Sequence, residues 1–598
     1  WSPNINIFRD PRWGRGHETY GEDPCLTGRM GTAYIKGLQG NGKRLKAAAC
    51  VKHFAAHSGP EKGRHSFNSV VSKKDLAETY FPAFERCVKE AGVEGVMGGY
   101  NRLNGEAACG SHHLITEILR EKWGFDGYYV SDCGAIKDFH MHHGLTDTSQ
   151  ESAALALKSG CDLNCGAVYL HVMSAYNQGL VSEDDIDRAV THLMMTRMRL
   201  GMFDQHTEFD EIPYEVNDCA EHHSLALKAA EESMVLLKND GILPLDKAKL
   251  KTVAVIGPNS DSEEILKGNY NGTATEKYTL LEGIRAVLGK DTRIFCSEGA
   301  HLYRDNVENL AEADDRIKEA VSMAMRSDVV FLCLGLNGTL EGEEGDANNS
   351  YAGADKVDLN LPESQMRLLK AVCETGTPVI LLLSAGSAMA ISDADEHCSA
   401  ILHVWYPGQM GGLAAARLLM GEAVPSGRLP VTFYRTTEEL PDFTDYSMKG
   451  RTYRYMEHEA LYPFGYGLSY GDFEYSNLKA EQIETGQVKL SVEITNHSMF
   501  ECDEVAQVYV RITDSELAAP GGSLADFKRI HLKAGESAAA AFILSAKAFM
   551  VVNEEGEFVF DGSAAVVTCG GSQPDGRSVE LTGKTPLKLN LKVEDLRW

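Results

Sequence analysis

Asp132 stands directly after a strand-forming run, in the segment YYVSDCGAI at positions 128–136. In a parallel α/β sheet or barrel, ligands bind at the carboxyl ends of the strands, because loops and helix N-termini converge there. A single aspartate at a strand end is more often a cap of the following helix than a functional group. We therefore predict a functional site at Asp132 only if the neighbouring strand ends also carry polar side chains that could bind the same ligand.

Hydrogen-bonding side chains follow the other predicted strands of the same region. The second strand ends on Lys52 and His53, the loop after it carries Arg64, and the third strand ends on Tyr100. The segment after the first strand contains Arg15. Four successive strand ends with such groups predict one shared pocket, in which donors for hydroxyl groups surround a carboxylate.

Hydrolysis of a glycosidic bond would need a second carboxyl group, because one attacks the sugar carbon while the other protonates the leaving oxygen. The acidic loop at 335–356 offers Glu341, Glu343 and Glu344. Neighbouring like charges raise one another's pKa, which suits a general acid. A solvated acidic surface loop is the simpler alternative.

Composition and missing motifs exclude several rival functions. The sequence has no glycine-rich dinucleotide fingerprint, Walker A loop, H-E-x-x-H or G-x-S-x-G motif. Its formal charge of −28 disfavours nucleic acids and anionic membranes as partners. The fourteen cysteines are scattered and no histidines have zinc spacing, so neither a disulfide framework nor a metal is predicted. No apolar stretch approaches the ~20 residues of a membrane helix, and cysteine usage alone predicts a cytoplasmic location.

Strands and helices alternate from the start of the chain to about residue 215. Strands are predicted at 2–8, 47–55, 93–101, 127–132 and 160–165, with helices between them, for example at 73–92. A helix is predicted to follow Ser182, where Asp185 completes a capping box, and to stop at Gly201. This pattern predicts an α/β sheet or barrel for residues 1–215, although five strands do not close an eight-stranded barrel.

A second α/β domain is predicted at 216–440. It begins with a helix at 223–239 and continues with near-continuous apolar strands at 252–257, 292–299, 328–336, 378–386 and 400–408. Strands that are apolar on both faces belong to a sheet covered by helices on both sides. After a linker at 441–475, residues 476–598 contain strands that alternate at period two, which predicts an antiparallel sandwich.

Six segments, taken in chain order, together resemble glycoside hydrolase family 3, the β-glucosidase and β-xylosidase family. They are WSPNINIFRDPRWGRGHETYGEDP, KHFAAHSGP, MGGYNRLNG, WGFDGYYVSDCGAI, GEEGDANNSYAGADKVDLNLPESQ and PSGRLPVTFYRT with YPFGYGLSY. The resemblance spans essentially the whole chain. It implies a multidomain α/β fold: a (β/α)8-type barrel, expected to be N-terminally incomplete here, an α/β sandwich, and a fibronectin type III-like β-sandwich.

The resemblance also implies roles for the candidate residues. Asp132 matches the nucleophile, and the positions that bind hydroxyls of the terminal sugar or steady the nucleophile are matched by Arg15, Lys52, His53, Arg64 and Tyr100. Glu343 is aligned with the acid/base, and Glu341 is kept as the alternative. The segment KHFAAHSGP does not match the histidine motif of the N-acetylglucosaminidase branch. Cys133, which follows the nucleophile, resembles the β-xylosidase branch, whereas β-glucosidases of the family typically have tryptophan there.

The implied activity is that of a retaining exo-β-glycosidase, with β-xylosidase expected and β-glucosidase or arabinosidase as the alternative. The implied substrate is a small oligosaccharide or aryl glycoside, with no cofactor or metal, and a homo-oligomer is left open. A non-catalytic carbohydrate-binding protein is the alternative from another class. A nucleotide-dependent enzyme built on VAVIGPNSDS, at 253–262, is the weakest alternative, because that segment has a single glycine.

Overall fold

The computed structural model describes residues 1–304, 314–345 and 353–596, which group into two compact units. The first unit contains Trp1–Pro213, Pro441–Lys449 and Val552–Val559, and the second contains Tyr214–Leu440, Gly450–Val551 and Phe560–Trp598. Among the described residues, none of the helices has both the length and the apolar character needed to span a membrane. The predicted domain boundaries at 215, 440 and 475 stay predictions.

The parallel sheet of the first unit carries its strands in chain order. Cys50–Phe54 pairs with Gly95–Gly98, which pairs with Tyr128–Ser131, and all three strands are buried throughout. Parallel bridges from Asn4 to Lys52 and from Val130 to Leu163 extend the row on both sides. The five predicted strand positions therefore lie side by side, and the predicted α/β architecture of this region is confirmed.

Helices of the first unit follow the predicted pattern. The helix Glu183–Arg199 begins after Ser182, whose side chain accepts from Asp185 in a complete capping box. The region predicted as one helix at 73–92 is helical in three consecutive segments, of which the third begins at Pro82. The helices are Pro24–Gln39, Lys73–Asp75, Leu76–Tyr80 (π), Pro82–Ala91, His113–Lys122 (π), Ala135–Met141, Ser149–Ser159, Val172–Asn177 and Glu183–Arg199.

The second unit contains the mixed sheet of an α/β sandwich. In spatial order its strands are Val235–Asn239, Ala400–His403, Val379–Ser384, Val329–Gly335, Thr252–Ile256 and Arg293–Ser297, and only the first is antiparallel to its neighbour. The central strands are buried on both faces, as their continuous apolar sequences predicted. The helices are Ala220–Ser233, Leu280–Leu288, Asp315–Ala324, Glu363–Cys373, Ser392–His397, Gly411–Leu419 and Thr452–Tyr455.

The predicted helix at 223–239 is wrong in its second half. The helix ends at Ser233, Met234 is extended, and Val235–Asn239 forms the antiparallel edge strand beside Ala400–His403. The apolar run from Met234 to Leu237 fits both a helical and a strand period. The segment forms a strand because the backbone N–H and C=O groups of Ala400–His403 are available for pairing at this edge of the sheet.

The C-terminal part of the second unit is a β-sandwich, as predicted. One sheet contains Phe473–Glu484, Gln487–Asn496 and Ser537–Ser545, and the other contains Ser523–Leu532, Cys502–Ile512, Ala564–Gly570 and Leu587–Lys592. The period-two pattern of the strand Gln487–Asn496 places its apolar residues in the core, where Val488, Leu490, Val492 and Ile494 are buried. A helix at Gly576–Thr582 precedes the last strand.

Candidate active site

The carboxylate of Asp132 is held at one oxygen only. Its backbone N–H donates to the carbonyl of Gly98 on the neighbouring strand at 3.0 Å, and Oδ1 accepts the backbone N–H of Cys133 at 2.7 Å. Among the described residues, no hydrogen-bond donor reaches Oδ2, and the Nε2 atom of His53 lies 3.5 Å from it. The strand end therefore fixes the carboxylate while leaving one oxygen able to react.

Burial and charge act on Asp132 in opposite directions. Burial raises the pKa of the carboxyl above its ordinary value, and the charge of Arg15, the N–H of Cys133 and the charges of Lys52 and Arg64 lower it. The three cations favour the ionised form of Asp132. The net direction is upward, because removal from water penalises a charged carboxylate more.

His53 is neutral, and its hydrogen bonds fix its tautomer. Its Nδ1 lies 3.0 Å from the Oδ1 of Asn6, which also accepts the backbone N–H of His53, and its Nε2 lies 3.2 Å from the Nη2 of Arg15. An amide oxygen only accepts and a guanidinium only donates, so Nδ1 carries the proton. Burial, together with the cations nearby, lowers the pKa of His53 well below its ordinary value.

Two buried arginines are each held by a carboxylate three positions away. Arg15 donates from Nε and Nη2 to the two oxygens of Glu18, at 2.8 and 3.0 Å. Arg64 donates to Glu61 at 3.1 Å, and Glu61 also accepts the indole N–H of Trp13 at 2.8 Å. The sequence analysis missed the role of Glu61, although its spacing from Arg64 equals that of Glu18 from Arg15.

Aromatic contacts join Tyr100 to the same cluster. The guanidinium of Arg64 lies 4.5 Å from the centre of the Tyr100 ring. The ring of His57 contacts both sides of the cluster, with its centre 5.0 Å from that of His53 and 6.1 Å from that of Tyr100. The structure thus brings the predicted residues of the first unit together: Arg15, Lys52, His53, Arg64, Tyr100 and Asp132. His57 was missed, and only its position in KHFAAHSGP pointed to it.

A disulfide between Cys133 and Cys165 closes the loop after Asp132, although the scattered cysteines predicted no disulfide framework. The pairing follows from the sheet, because the bridge from Val130 to Leu163 brings the two following segments together. The backbone N–H of Gly134 donates to the carbonyl of Cys165 at 2.7 Å. The nucleophile segment is therefore tied both covalently and by a hydrogen bond to the next strand position.

In the second unit, Glu341 is buried and its carboxylate is fully engaged. Oε1 accepts the backbone N–H of Gly386 and the hydroxyl of Tyr406, both at 2.6 Å, and Oε2 accepts the hydroxyl of Ser387 at 2.6 Å. The ammonium of Lys356 lies 3.9 Å from Oε2. This arrangement is typical of a structural carboxylate, since both oxygens are already bound by the protein.

Glu343 is more accessible than Glu341. It is half-buried, and its Oε2 accepts the hydroxyl of Tyr270 at 2.6 Å. Glu344, next to it, is also half-buried. Positions 346–352 of the predicted acidic loop lie outside the described residues. Of the two glutamates proposed from the sequence, Glu343 is the more exposed, and the choice of Glu343 as the acid/base stays a prediction.

Comparisons with known proteins agree with these features. Residues 1–196 match the model of the glycosyl hydrolase family 3 N terminal domain, residues 234–470 match its C-terminal domain, and residues 504–573 match a fibronectin type III-like domain. A xylan 1,4-beta-xylosidase of Xylanibacter ruminicola is 35% identical over 687 residues, which cover 90% of this chain and 79% of that protein. The chain belongs to glycoside hydrolase family 3.

Solved structures of the family have the same architecture. A GH3 exo-beta-xylosidase (XlnD), in complex with a xylobiose aziridine activity-based probe, aligns with a TM-score of 0.89 and 29% identity, covering 99% of this family 3 chain and 78% of the other. The b-glucosidase EmGH1 of Erythrobacter marinus aligns with a TM-score of 0.86 and 30% identity, covering 99% and 80%. The family 3 chain is a glycoside hydrolase, and double displacement is general to its family.

Proposed function

We propose that this family 3 protein is a retaining, exo-acting β-xylosidase in which Asp132 is the nucleophile and Glu343 is the acid/base. The observation that carries the proposal is the state of Asp132. One oxygen is fixed by the N–H of Cys133 and the other is left without a donor among the described residues, beside a neutral histidine and three cations. A carboxylate arranged in this way can attack an electrophilic carbon without first breaking a hydrogen bond.

The reaction proceeds in two displacements. In the first, Oδ2 of Asp132 forms a bond to the anomeric carbon, the bond from that carbon to the leaving oxygen breaks, and the carboxylic acid of Glu343 gives its proton to that oxygen. In the second, the Glu343 carboxylate takes a proton from water, the water oxygen bonds to the anomeric carbon, and Asp132 is released. The sugar leaves with its original anomeric configuration.

The remaining residues bind and orient the sugar. Arg15, Lys52 and Arg64 are buried donors that can bind sugar hydroxyls, and Tyr100 provides an apolar ring against which a sugar face can pack. The carboxylates of Glu18 and Glu61 hold the two guanidinium groups in place, so that little rearrangement is needed on binding. Neutral His53 accepts from Arg15, which keeps a further positive charge away from the oxocarbenium-like transition state.

Two observations support xylose as the sugar released. Cys133 follows the nucleophile, as in the branch that the sequence resembles, and the similar proteins named above include a xylan 1,4-beta-xylosidase and an exo-beta-xylosidase. The corresponding substrate is a small xylo-oligosaccharide or an aryl β-xyloside. β-Glucosidase activity is the second candidate, favoured by the likeness to EmGH1, and arabinosidase activity the third. The kcat/KM values for nitrophenyl β-xyloside, β-glucoside and α-arabinoside, compared on one preparation, rank them.

The decisive experiment is the substitution Asp132→Ala. We expect hydrolysis of nitrophenyl β-xyloside to fall by several orders of magnitude, because alanine cannot form the glycosyl-enzyme bond. Azide should restore turnover and yield a xylosyl azide of inverted configuration, since it attacks from the side where Asp132 was. Asp126→Ala is the matched control, because Asp126 is exposed and pairs with Arg199 on the surface.

Undiminished activity of the Asp132→Ala variant would refute the nucleophile assignment. Loss of activity in both variants would indicate a general effect on folding, which circular dichroism distinguishes. Binding of xylobiose by the unsubstituted protein, without release of xylose, would support the non-catalytic alternative.

A further inference from the structure

A second cluster of chemically active side chains lies near the proposed sugar site. His65 follows Arg64 in the chain, Asp138 lies on the helix Ala135–Met141, and His142 is the C-cap of that helix. Nδ1 of His65 lies 2.8 Å from Oδ2 of Asp138, and Nδ1 of His142 lies 2.7 Å from Oδ1. One donor atom of each of the three residues lies within 4.8 Å of the other two.

We propose that the His65–Asp138–His142 cluster binds a divalent transition metal, with zinc as the expected ion. Two imidazoles and one carboxylate are a ligand set that suits Zn²⁺, which binds nitrogen and oxygen at about 2.0–2.2 Å in tetrahedral geometry. Neighbouring donor atoms around such an ion are about 3.3 Å apart. The two nitrogen–oxygen separations are shorter, because each imidazole is hydrogen-bonded to a different oxygen of Asp138. An ion would replace the proton in each of these hydrogen bonds, and the donor atoms would move apart by about half an ångström.

Burial and exposure are distributed as a metal site requires. Asp138 is almost fully buried, with 4% of its side chain exposed, whereas His65 and His142 are exposed by 36% and 44%. The buried carboxylate gives the site a fixed negative charge, and the half-exposed rings allow an ion to enter from solvent.

The cluster joins two segments that carry residues of the proposed sugar site. The ring of His65 packs edge-on against Tyr100, with 4.6 Å between ring centres, and Arg64 lies over the same tyrosine. The helix that carries Asp138 begins three residues after Asp132. A bound ion would therefore link the loop of Arg64 to the helix that follows Asp132. It is not needed for the two-carboxylate reaction, which takes no metal.

The test measures zinc binding by the full chain after treatment with a chelator. Isothermal titration calorimetry with Zn²⁺ alone is compared for the unsubstituted protein, His65→Gln, His142→Gln and the control His140→Gln. His140 lies on the same helix but is hydrogen-bonded to Ser152 and is outside the cluster. We expect one equivalent of Zn²⁺ to bind the unsubstituted protein and His140→Gln, and at least a ~10–100-fold lower affinity in the other two variants.

A second measurement reports the ligands directly. Co²⁺ in the same site should give visible absorption that is present in the control and lost in His65→Gln and His142→Gln. Zinc should also raise the Tm of the unsubstituted protein and the control, because a ligand that binds only the folded state stabilises it. Absence of saturable zinc binding by the unsubstituted protein, or equal affinities in all four proteins, would overturn the proposal. Both cluster variants alter half-exposed side chains, so their folding can be verified by circular dichroism.

Discussion

At the scale of single residues, the ionisation of Asp132 depends on the cations beside it. Burial raises the pKa of this carboxyl and Lys52 is one of the charges that lower it. Only the ionised carboxylate can attack, so activity is lost as the pH falls through the pKa of Asp132. In Lys52→Met we therefore expect the acidic limb of kcat/KM to move to higher pH.

Lys52→Arg is the matched control for this shift. It keeps the positive charge, so its acidic limb should stay near that of the unsubstituted protein even if sugar binding is weaker. The measurement is the pH profile of kcat/KM for nitrophenyl β-xyloside in all three proteins. An unchanged acidic limb in Lys52→Met would show that the charge of Lys52 does not affect the pKa of the group that titrates in that limb.

The environments of Glu341 and Glu343 predict different consequences when each is replaced. Glu341→Ala removes the acceptor of three short hydrogen bonds and the counter-charge of buried Lys356, so we expect a loss of roughly 3–5 kcal/mol in unfolding free energy. Glu343→Ala should cost no more than about 1.5 kcal/mol, because the residue is half-buried and loses one hydrogen bond, from Tyr270. Denaturant titration of both variants measures this difference.

Activity measurements should distinguish the same two glutamates, with the substrate-dependent effect at Glu343 instead of Glu341. Without its acid/base, the Glu343→Ala variant should lose hydrolysis of xylobiose while still cleaving the activated dinitrophenyl xyloside, because a good leaving group needs no proton. Equal losses on both substrates would contradict the assignment of Glu343. Activity of Glu341→Ala should fall on both substrates in proportion to its folded fraction.

Part of the site could be predicted because its residues follow strands. Asp132 and Tyr100 follow their strands, whereas Lys52 and His53, predicted to end theirs, lie inside the strand Cys50–Phe54. Parallel strands bring the residues near these ends together whatever the loops do. The partners that hold them could not be predicted in the same way. The contact of Asn6 with His53 spans 47 residues, and that of His65 with Asp138 spans 73. Each contact forms only when the loops between the two residues have folded, and the sequence pattern does not predict the course of those loops.

At the scale of elements, the disulfide from Cys133 to Cys165 ties the nucleophile strand to its neighbour. Closing a loop with a sequence separation of 32 stabilises the folded state by up to about 4 kcal/mol in the chain-entropy model. We expect the double variant Cys133→Ser/Cys165→Ser to have a lower Tm. Its kcat should also fall, because the N–H of Cys133 positions the carboxylate of Asp132.

Reduction provides an independent measurement of the same element. Dithiothreitol should lower the Tm and kcat of the unsubstituted protein and leave the double variant unchanged, since no second disulfide joins the described cysteines. Insensitivity of both proteins would show that the bridge contributes nothing to the site. Disulfides persist in oxidising compartments, whereas cysteine usage in the sequence predicted a cytoplasmic location. That location stays a prediction.

The elements themselves were largely predictable, with one instructive exception. Buried parallel strands have continuous apolar sequences and sandwich strands alternate, so both types could be identified from their periods. Residues 235–239 could not, because a run of five residues fits either period and only the open edge of a distant strand selects pairing. The disulfide was missed for the same reason, since its cysteines meet only through the bridge from Val130 to Leu163.

At the scale of the whole molecule, the dominant electrostatic feature is the excess of acidic residues. The chain has 58 lysines and arginines against 86 aspartates and glutamates, a formal charge of 58 − 86 = −28. The cations around Asp132 are local and buried, so at distances beyond the pocket the field of the protein is negative. A neutral sugar is unaffected by that field, whereas an anionic substrate is repelled before it reaches the pocket.

This contrast predicts how salt affects two matched substrates. For neutral phenyl β-xyloside, kcat/KM should be nearly independent of ionic strength. For carboxyphenyl β-xyloside, kcat/KM should be lower at low salt and rise as salt is added, because the repulsion is screened once the Debye length falls to about 10 Å or less. Steady-state kinetics across a sodium chloride series measures both. A fall in kcat/KM for the anionic substrate would mean that Arg15, Lys52 and Arg64 attract it more strongly than the acidic surface repels it.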